Sequence, residues 1–177
     1  MKLNLETHKK MSSKWFKFLQ SEIFKEFKSF EREKNKKFRN NSFKINTWQK
    51  SKENNEGGGR FIIMRNGSVF DSVGINFSEV SGKFSKKFKS KIPGANKNPS
   101  YWASGISVVA HMKNPKIPSL HFNTRFIITS KSWFGGGMDA TPAIKDKFEE
   151  KIFHEKIKIM CDGHNSKYYK KYKKWCD

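Results

Sequence analysis

The spacing of apolar residues changes near Gly57, and this change limits the folds that the chain can adopt. Over residues 12–34 the apolar residues recur at three- and four-residue intervals, which indicates an amphipathic helix. Beyond Gly57 short apolar runs are separated by turn residues, which indicates strands. A second helical pattern then runs to about Cys161. This order predicts an α+β fold with a largely antiparallel sheet flanked by helices.

The predicted first helix carries a start signal and an apolar stripe. Ser12 or Ser13 is expected to cap it. The stripe consists of Trp15, Leu19, Ile23, Phe27 and Phe30. Residues 35–57 are polar and rich in Lys and Asn, so we predict a loop there with Trp48 as its single anchor.

A hairpin signal follows the first predicted strand. Residues 61–64 form an apolar run, and Asn66-Gly67 after it is typical of a two-residue hairpin turn. Further strands are predicted at 75–80, 106–111 and 121–128, and residues 83–100 are predicted to be a mobile connector.

The last predicted helix follows the glycine run 135–137. Thr141 is expected to cap it and Pro142 to be its first residue. Its apolar stripe consists of Ile144, Phe148 and Ile152. The chain is therefore predicted to be a single domain over 1–177, with a helical and polar segment 1–47, a sheet carrying the site at 48–142, and a helical segment 143–177.

One predicted strand presents a polar face. Side chains alternate along a strand, so His121, Asn123 and Arg125 share one side and extend over about 13 Å. Ser107 and His111 likewise share one side of their own strand. If the two strands are neighbours with coincident polar faces, these side chains form one concave site.

The charge of the chain bears on its partners. Lys and Arg number 37 against 16 Asp and Glu, which gives a net charge of +21 and favours anionic partners such as nucleic acid, acidic lipid or a polycarboxylate. The run 57–60 lacks the trailing Lys-Ser/Thr of a phosphate-binding loop, which argues against a nucleotide site. Cys161 and Cys176 form no disulfide framework, and no apolar stretch is long enough to span a membrane, so we expect a cytoplasmic location.

Six sequence blocks in order resemble the oxygen-dependent coproporphyrinogen III oxidase family. The blocks are EGGGR at 56–60, NGSVFDSVGINFSEVSG at 66–82, GISVVAH at 105–111, NPKIPSLHFNTRF at 114–126, WFGGGMDATP at 133–142 and YKKWCD at 172–177. The resemblance extends from about Trp48 to Asp177 and includes the spacing from His154 to Cys161.

This resemblance implies an activity in haem biosynthesis. Two propionates of coproporphyrinogen III would be oxidatively decarboxylated to vinyl groups, giving protoporphyrinogen IX, with O₂ as oxidant and no organic cofactor. It implies catalytic roles for His121 as proton donor and Asp139 as the carboxylate directed at the pyrrole nitrogens. The substrate-binding residues that it implies are Ser107, Asn123, Thr124 and Arg125. A divalent metal has been assigned in some members, and the positions that match its ligands are His111, His121 and His154.

The family pattern normally continues beyond Trp175-Cys176-Asp177 into elements that form part of the pocket and the dimer. We therefore expect this chain to be an incomplete, N-terminal part of the fold with little or no oxidase activity alone. The partner would be a second copy in a homodimer or a separate chain with the remaining part. Two other functions stay open: a basic module that binds nucleic acid, which the sequence makes the less favoured partner, and a non-catalytic protein that binds tetrapyrrole.

Overall fold

Six strands and four helices follow one another in a simple order. The computed structural model describes residues 4–38, 42–51, 53 and 55–176. The elements are α1 (Leu5–Lys34), β1 (Lys44–Gln49), β2 (Gly57–Arg65), β3 (Phe70–Lys83), α2 (Lys86–Lys89), β4 (Ser100–Met112), β5 (Ser119–Ile128), β6 (Ser132–Thr141), α3 (Lys147–Asp162) and α4 (Tyr168–Cys176). Each strand pairs antiparallel with the next, so the sheet order is β1-β2-β3-β4-β5-β6. The predicted α+β class is confirmed.

The first helix begins earlier than its apolar pattern indicates. Asn4 is its N-cap and accepts a hydrogen bond from the Glu6 backbone N–H at 3.3 Å. The expected cap at Ser12 or Ser13 is wrong, because both lie inside the helix and are buried against the sheet. The polar first turns are helical because an Asn cap satisfies part of the exposed helix end.

The buried stripe of α1 is also shifted from the prediction. Leu19, Ile23 and Phe27 pack against the core as expected, but Trp15 and Phe30 are exposed. The fully buried position is Phe16 instead. The shift follows from where α1 is attached to the sheet.

Buried polar side chains make that attachment, among them Ser13, whose hydroxyl donates to the Glu79 carboxylate on β3. Gln20 donates from Nε2 to the backbone carbonyls of Arg60 (2.8 Å) and Ile75 (2.9 Å), which lie on β2 and β3. Glu31 accepts from the backbone N–H groups of Ser68, Val69 and Phe70 at 2.6, 2.9 and 2.9 Å. A buried polar group is stable only where it is hydrogen-bonded. These bonds therefore fix α1 across the sheet in one orientation.

The core lies between α1 and one face of the sheet. Alternate residues of the central strands point to this face. Its buried apolar residues are Ile62, Met64, Val73, Ile75, Phe77, Ile106, Val108, Ala110, Phe126 and Ile128. Because α1 covers only this face, the opposite face is left to the polar residues of the same strands.

The segment before Gly57 contains a strand that was not predicted. The loop expected at 35–57 includes β1, and Trp48 on β1 pairs with Gly59 on β2. The hairpin between β2 and β3 is confirmed, but the connection spans residues 66–69 rather than two residues. Glu31 explains the longer connection, since it binds three backbone N–H groups there.

The C-terminal part differs most from the prediction. Residues 132–141 form strand β6 instead of a glycine-rich loop, and the helix expected from Thr141 and Pro142 begins at Lys147. Asp146 caps it by accepting from the Phe148 and Glu149 backbone N–H groups at 2.9 and 3.3 Å. The expected stripe of Ile144, Phe148 and Ile152 is exposed. Asp177, the end of the last predicted block, lies outside the described residues.

Within the described part of the chain, no helix is long and apolar enough to cross a membrane.

Candidate functional site

The sheet face opposite α1, called the open face below, collects the polar residues singled out by the sequence. Ser107 on β4 lies opposite Asn123 on β5, which in turn lies opposite Gly137 on β6. One pair further along, His121 lies opposite Asp139. Paired residues on adjacent strands have Cβ atoms about 5 Å apart. The predicted convergence of these side chains is therefore present.

His121 and Asp139 form a direct pair. The His121 Nδ1 atom lies 3.1 Å from Asp139 Oδ2, and the Thr141 hydroxyl donates to Asp139 Oδ1 at 3.4 Å. In the tautomer with its proton on Nδ1, the imidazole donates to the carboxylate. The two side chains remain 41% and 58% exposed, so both can be reached by a ligand on the open face.

Asn123 and Arg125 form a second polar pair two residues along β5. The Arg125 guanidinium donates from Nη2 to Asn123 Oδ1. Since the amide oxygen already accepts this bond, the amide N–H groups of Asn123 are directed to other acceptors. Arg125 is exposed and its remaining N–H groups match a carboxylate in a two-point contact.

Three glycines leave the backbone of the open face bare. A Cβ built on Gly74 of β3 meets nothing within 4 Å, and those built on Gly135 and Gly137 come no closer than 3.8 and 4.0 Å to another group. Packing inside the protein therefore does not require glycine at these positions. A glycine in a strand allows close approach of a ligand to the backbone. The arrangement suits a flat, extended ligand lying on the sheet with acidic groups at its periphery.

Comparison with known proteins identifies the fold that carries this face. The sequence pattern of the coproporphyrinogen III oxidase family matches residues 11–177. The chain belongs to the coproporphyrinogen III oxidase family. This family match covers every predicted site residue, from Ser107 to His154.

Relatives within the family are close in sequence but longer. The oxygen-dependent coproporphyrinogen-III oxidases of Rickettsia rickettsii (strain Sheila Smith) and Rickettsia africae (strain ESF-5) are each 45% identical over 177 residues, which is 99% of this chain and 62% of the relative. The enzyme of Rickettsia bellii (strain OSU 85-389) is 44% identical over 172 residues, 96% of this chain and 60% of the relative. The chain thus spans about three fifths of the length of these curated coproporphyrinogen oxidases.

One substrate-binding residue implied by the family resemblance faces away from the others. Thr124 pairs with Ile106 and Gly136 on the side of the sheet that packs against α1. Alternation along β5 requires this, since its neighbours Asn123 and Arg125 are on the open face. Only the Thr124 backbone is therefore available to a ligand there.

The three histidines that match metal positions of the family are not brought together. His111 is on the open face and its Nδ1 lies 3.0 Å from the Ser72 hydroxyl, while His121 is bonded to Asp139. His154 is on α3, where its Nδ1 lies 3.2 Å from the Tyr169 hydroxyl. Over the described residues, no three His, Cys, Asp or Glu side chains are grouped to hold a metal ion. The three do not fit a common metal in this arrangement, and the metal set stays a prediction.

Two features of the site were not anticipated from the sequence. Asp139 was expected before a helix, but it is on β6, and its strand pairing is what sets it beside His121. Asn76 on β3 also faces the open side, opposite Ser107. The alternation in Ile75-Asn76-Phe77, with both neighbours buried, is a signal that could have found it.

Proposed function

We propose that this chain is the substrate-binding sheet of an oxygen-dependent coproporphyrinogen III oxidase. The observation that carries the proposal is the convergence of the His121–Asp139 pair and the Asn123–Arg125 pair on one open sheet face. The names of the relatives support the same activity for the family.

The proposed substrate matches this face in size and charge. Four strands, β3 to β6, span about 14 Å at the usual strand spacing, close to the width of a tetrapyrrole macrocycle. Coproporphyrinogen III carries four propionates, so the net charge of +21 attracts it and Arg125 can bind one carboxylate in two-point contact. The open-face glycines let the macrocycle lie on the backbone.

The proposed reaction needs an electron acceptor but no organic cofactor. Each of the two reacting propionates loses CO₂, one proton and two electrons to become a vinyl group, and one O₂ accepts the two electrons together with that proton and a second proton from solvent to form H₂O₂. The protein's part is to orient the macrocycle and to polarise it. Asp139 accepts a hydrogen bond from a pyrrole N–H, which raises the electron density of that ring. His121, held by Asp139, moves the proton. Ser107 and Asn123 donate hydrogen bonds to the substrate.

We propose that the chain alone binds this substrate but turns it over poorly. His121 and Asp139 are substantially exposed, whereas charge stabilisation in a redox site depends on the exclusion of water. A second copy of the chain or a separate polypeptide would cover the open face. We also propose a cytoplasmic location, on the basis of the sparse cysteine content.

A nucleic-acid-binding function is the second candidate, and one helix favours it. On α4, Tyr172 and Trp175 are exposed beside Lys171, Lys173 and Lys174, a combination typical of electrostatic and stacking contacts. If the chain binds nucleic acid through this helix, substitutions on the open face should leave its affinity for nucleic acid unchanged.

Binding of coproporphyrin III, the stable oxidised form of the substrate, separates the two candidates. We expect Arg125→Gln and Asp139→Asn each to weaken binding by about tenfold or more, because each removes a charged hydrogen-bonding partner. Lys86→Gln and Asp71→Asn are the matched controls, since they change the same charges at exposed positions off this site. Fluorescence titration measures the affinities. Equal affinities for all four variants would contradict the proposal.

A further inference from the structure

Trp48 reaches across one strand to a residue of the open face. It lies on β1, opposite Gly59 of β2, and its Nε1 donates to Asn76 Oδ1 on β3 at 3.4 Å. A Cβ built on Gly59 would overlap the backbone oxygen of Phe77 on β3 and would lie 2.8 Å from that Nε1 atom. Glycine at position 59 therefore leaves room both for the β3 backbone and for the indole that crosses β2 to reach Asn76.

This contact fixes the direction of the Asn76 amide. An amide has one accepting oxygen and one donating nitrogen, and the oxygen accepts from Trp48. The two N–H groups of Asn76 are then left for an acceptor, with no partner among the described residues. The same holds for Asn123, whose oxygen accepts from Arg125.

The two amides flank one hydroxyl. Asn76 is directly opposite Ser107, and Ser107 is directly opposite Asn123. Two strand spacings separate the amides by about 10 Å. Both amides present N–H donors toward the open face. The surface therefore offers hydrogen bonds to ligand acceptors at two separated points. Carboxylates at the periphery of one macrocycle are hydrogen-bond acceptors that lie about as far apart as these two amides.

We propose that Asn76, held by Trp48, is a second carboxylate-binding point of the site, about 10 Å from the one at Asn123 and Arg125. The inference rests on the proposed function, because it assigns a further contact to the same ligand. Asn76 contacts the substrate, and Trp48 is a positioning residue that acts through Asn76. The site thereby selects ligands with acidic groups on more than one side.

The test compares two ligands on the full chain. One is coproporphyrin III, and the other is its tetra-amide, in which each carboxylate is replaced by an amide that can also donate. Asn76→Asp keeps the shape of the side chain but replaces the donor with a negative acceptor. We expect this variant to lower the affinity for coproporphyrin III at least about tenfold, because the carboxylate is repelled. The affinity for the tetra-amide should change by less than about threefold, because an amide carries no negative charge.

Two further variants complete the design. Asn98→Asp adds the same charge at an exposed position nine residues before Ser107, just ahead of β4 and more than about 20 Å from the site, and it should leave the affinity ratio of the two ligands unchanged. Trp48→Phe removes the indole N–H and keeps an aromatic ring. It should lower the affinity for coproporphyrin III by about threefold without lowering the urea midpoint of unfolding.

Three possible results separate the second carboxylate-binding point from the proposed function. If Arg125→Gln weakens coproporphyrin III while Asn76→Asp and Trp48→Phe behave like Asn98→Asp, the second point is absent and the proposed function stands. If Asn76→Asp weakens both ligands equally, Asn76 has a structural role and the inference is wrong. If the unmodified chain binds neither ligand, the proposed function itself fails.

Discussion

At the scale of single residues, the open-face glycines are the strongest support for the proposed position of the ligand on the sheet. Strand interiors normally avoid glycine, because it costs conformational entropy and has no side chain to pack. Gly74 has free space above its backbone, so no neighbour among the described residues explains it. Gly59 differs, since the Phe77 backbone oxygen and the Trp48 indole occupy the space where its side chain would be.

Substitution of Gly74 separates binding from folding. We expect Gly74→Val to keep or raise the free energy of unfolding, by up to about 1 kcal/mol, because the new side chain has room and restricts the unfolded chain. The same side chain would occupy the space of the proposed ligand, so the affinity for coproporphyrin III should fall by about tenfold or more. Urea unfolding and fluorescence titration measure the two quantities.

Gly59→Val is the contrasting variant, because it clashes with the Phe77 backbone oxygen and with Trp48 and should destabilise the fold. A Gly74→Val protein that is stable and binds normally would mean that no ligand lies over β3.

Much of the site could be predicted at this scale. Alternation along a strand is a strict rule, so His121, Asn123 and Arg125 were correctly placed on one face from the sequence. Asp139 was placed near the site but in the wrong element, because its partner is determined by strand pairing and no local pattern reveals it. Asn76 differs, because the alternation in Ile75-Asn76-Phe77 already places it on the face opposite two buried side chains, and only its pairing with Ser107 was hidden.

At the scale of elements, α1 is positioned by polar side chains on its buried side, of which Gln20 and Glu31 bond to backbone groups and Ser13 bonds to Glu79. Glu31 satisfies three backbone N–H groups of the β2–β3 connection, and Gln20 joins β2 to β3. Such contacts explain why the connection is longer than the Asn66-Gly67 signal predicts.

Loss of the Glu31 carboxylate should loosen this connection. We expect Glu31→Gln to lower the free energy of unfolding by about 1–3 kcal/mol, because an amide offers one accepting oxygen to three N–H groups. Glu26→Gln on the exposed side of α1 is the control and should change it by less than about 0.5 kcal/mol. Equal urea midpoints for the two variants would rule out the anchoring role.

Helices and strands were predicted well where one hydrophobic period dominates the local sequence. They were predicted poorly where tertiary contacts determine the boundaries of the element. The period of α1 is evident, but its phase depends on Gln20 and Glu31, which a hydrophobic pattern treats as surface residues. Strand β6 carries three consecutive glycines and no alternation, so it exists because β5 offers it a pairing edge. The start of α3 at Asp146 was hidden by the stronger local signal of Thr141-Pro142.

At the scale of the whole molecule, the excess of positive charge should accelerate capture of an anionic ligand. With a net charge of +21, we expect the association rate of coproporphyrin III to fall by at least about tenfold between about 0.1 M and 1 M salt, as the Debye length shrinks from about 10 Å to 3 Å. Stopped-flow fluorescence measures the rate. A rate that does not depend on salt would mean that steering by the net charge plays no part.

The fold class and the succession of a helix, several strands and a helix were predictable from the sequence because they follow from periodicity and from the family blocks, whereas strands β1 and β6 were not. The exposed apolar side chains on α3 and α4, including Phe148 and Trp175, were not. Burial depends on what an element contacts, and within the described chain these two helices contact chiefly each other.

The most direct test of the account is to locate the bound macrocycle. Paramagnetic manganese coproporphyrin III broadens the NMR signals of nearby amides, and the isotope-labelled chain reports them residue by residue. We expect the strongest broadening at Gly74, Ser107, Asn123 and Gly137, with weaker broadening of the amides of α1 behind the sheet. Broadening centred on the lysines of α4, with these four amides sharp, would contradict the assignment of the open face as the substrate site.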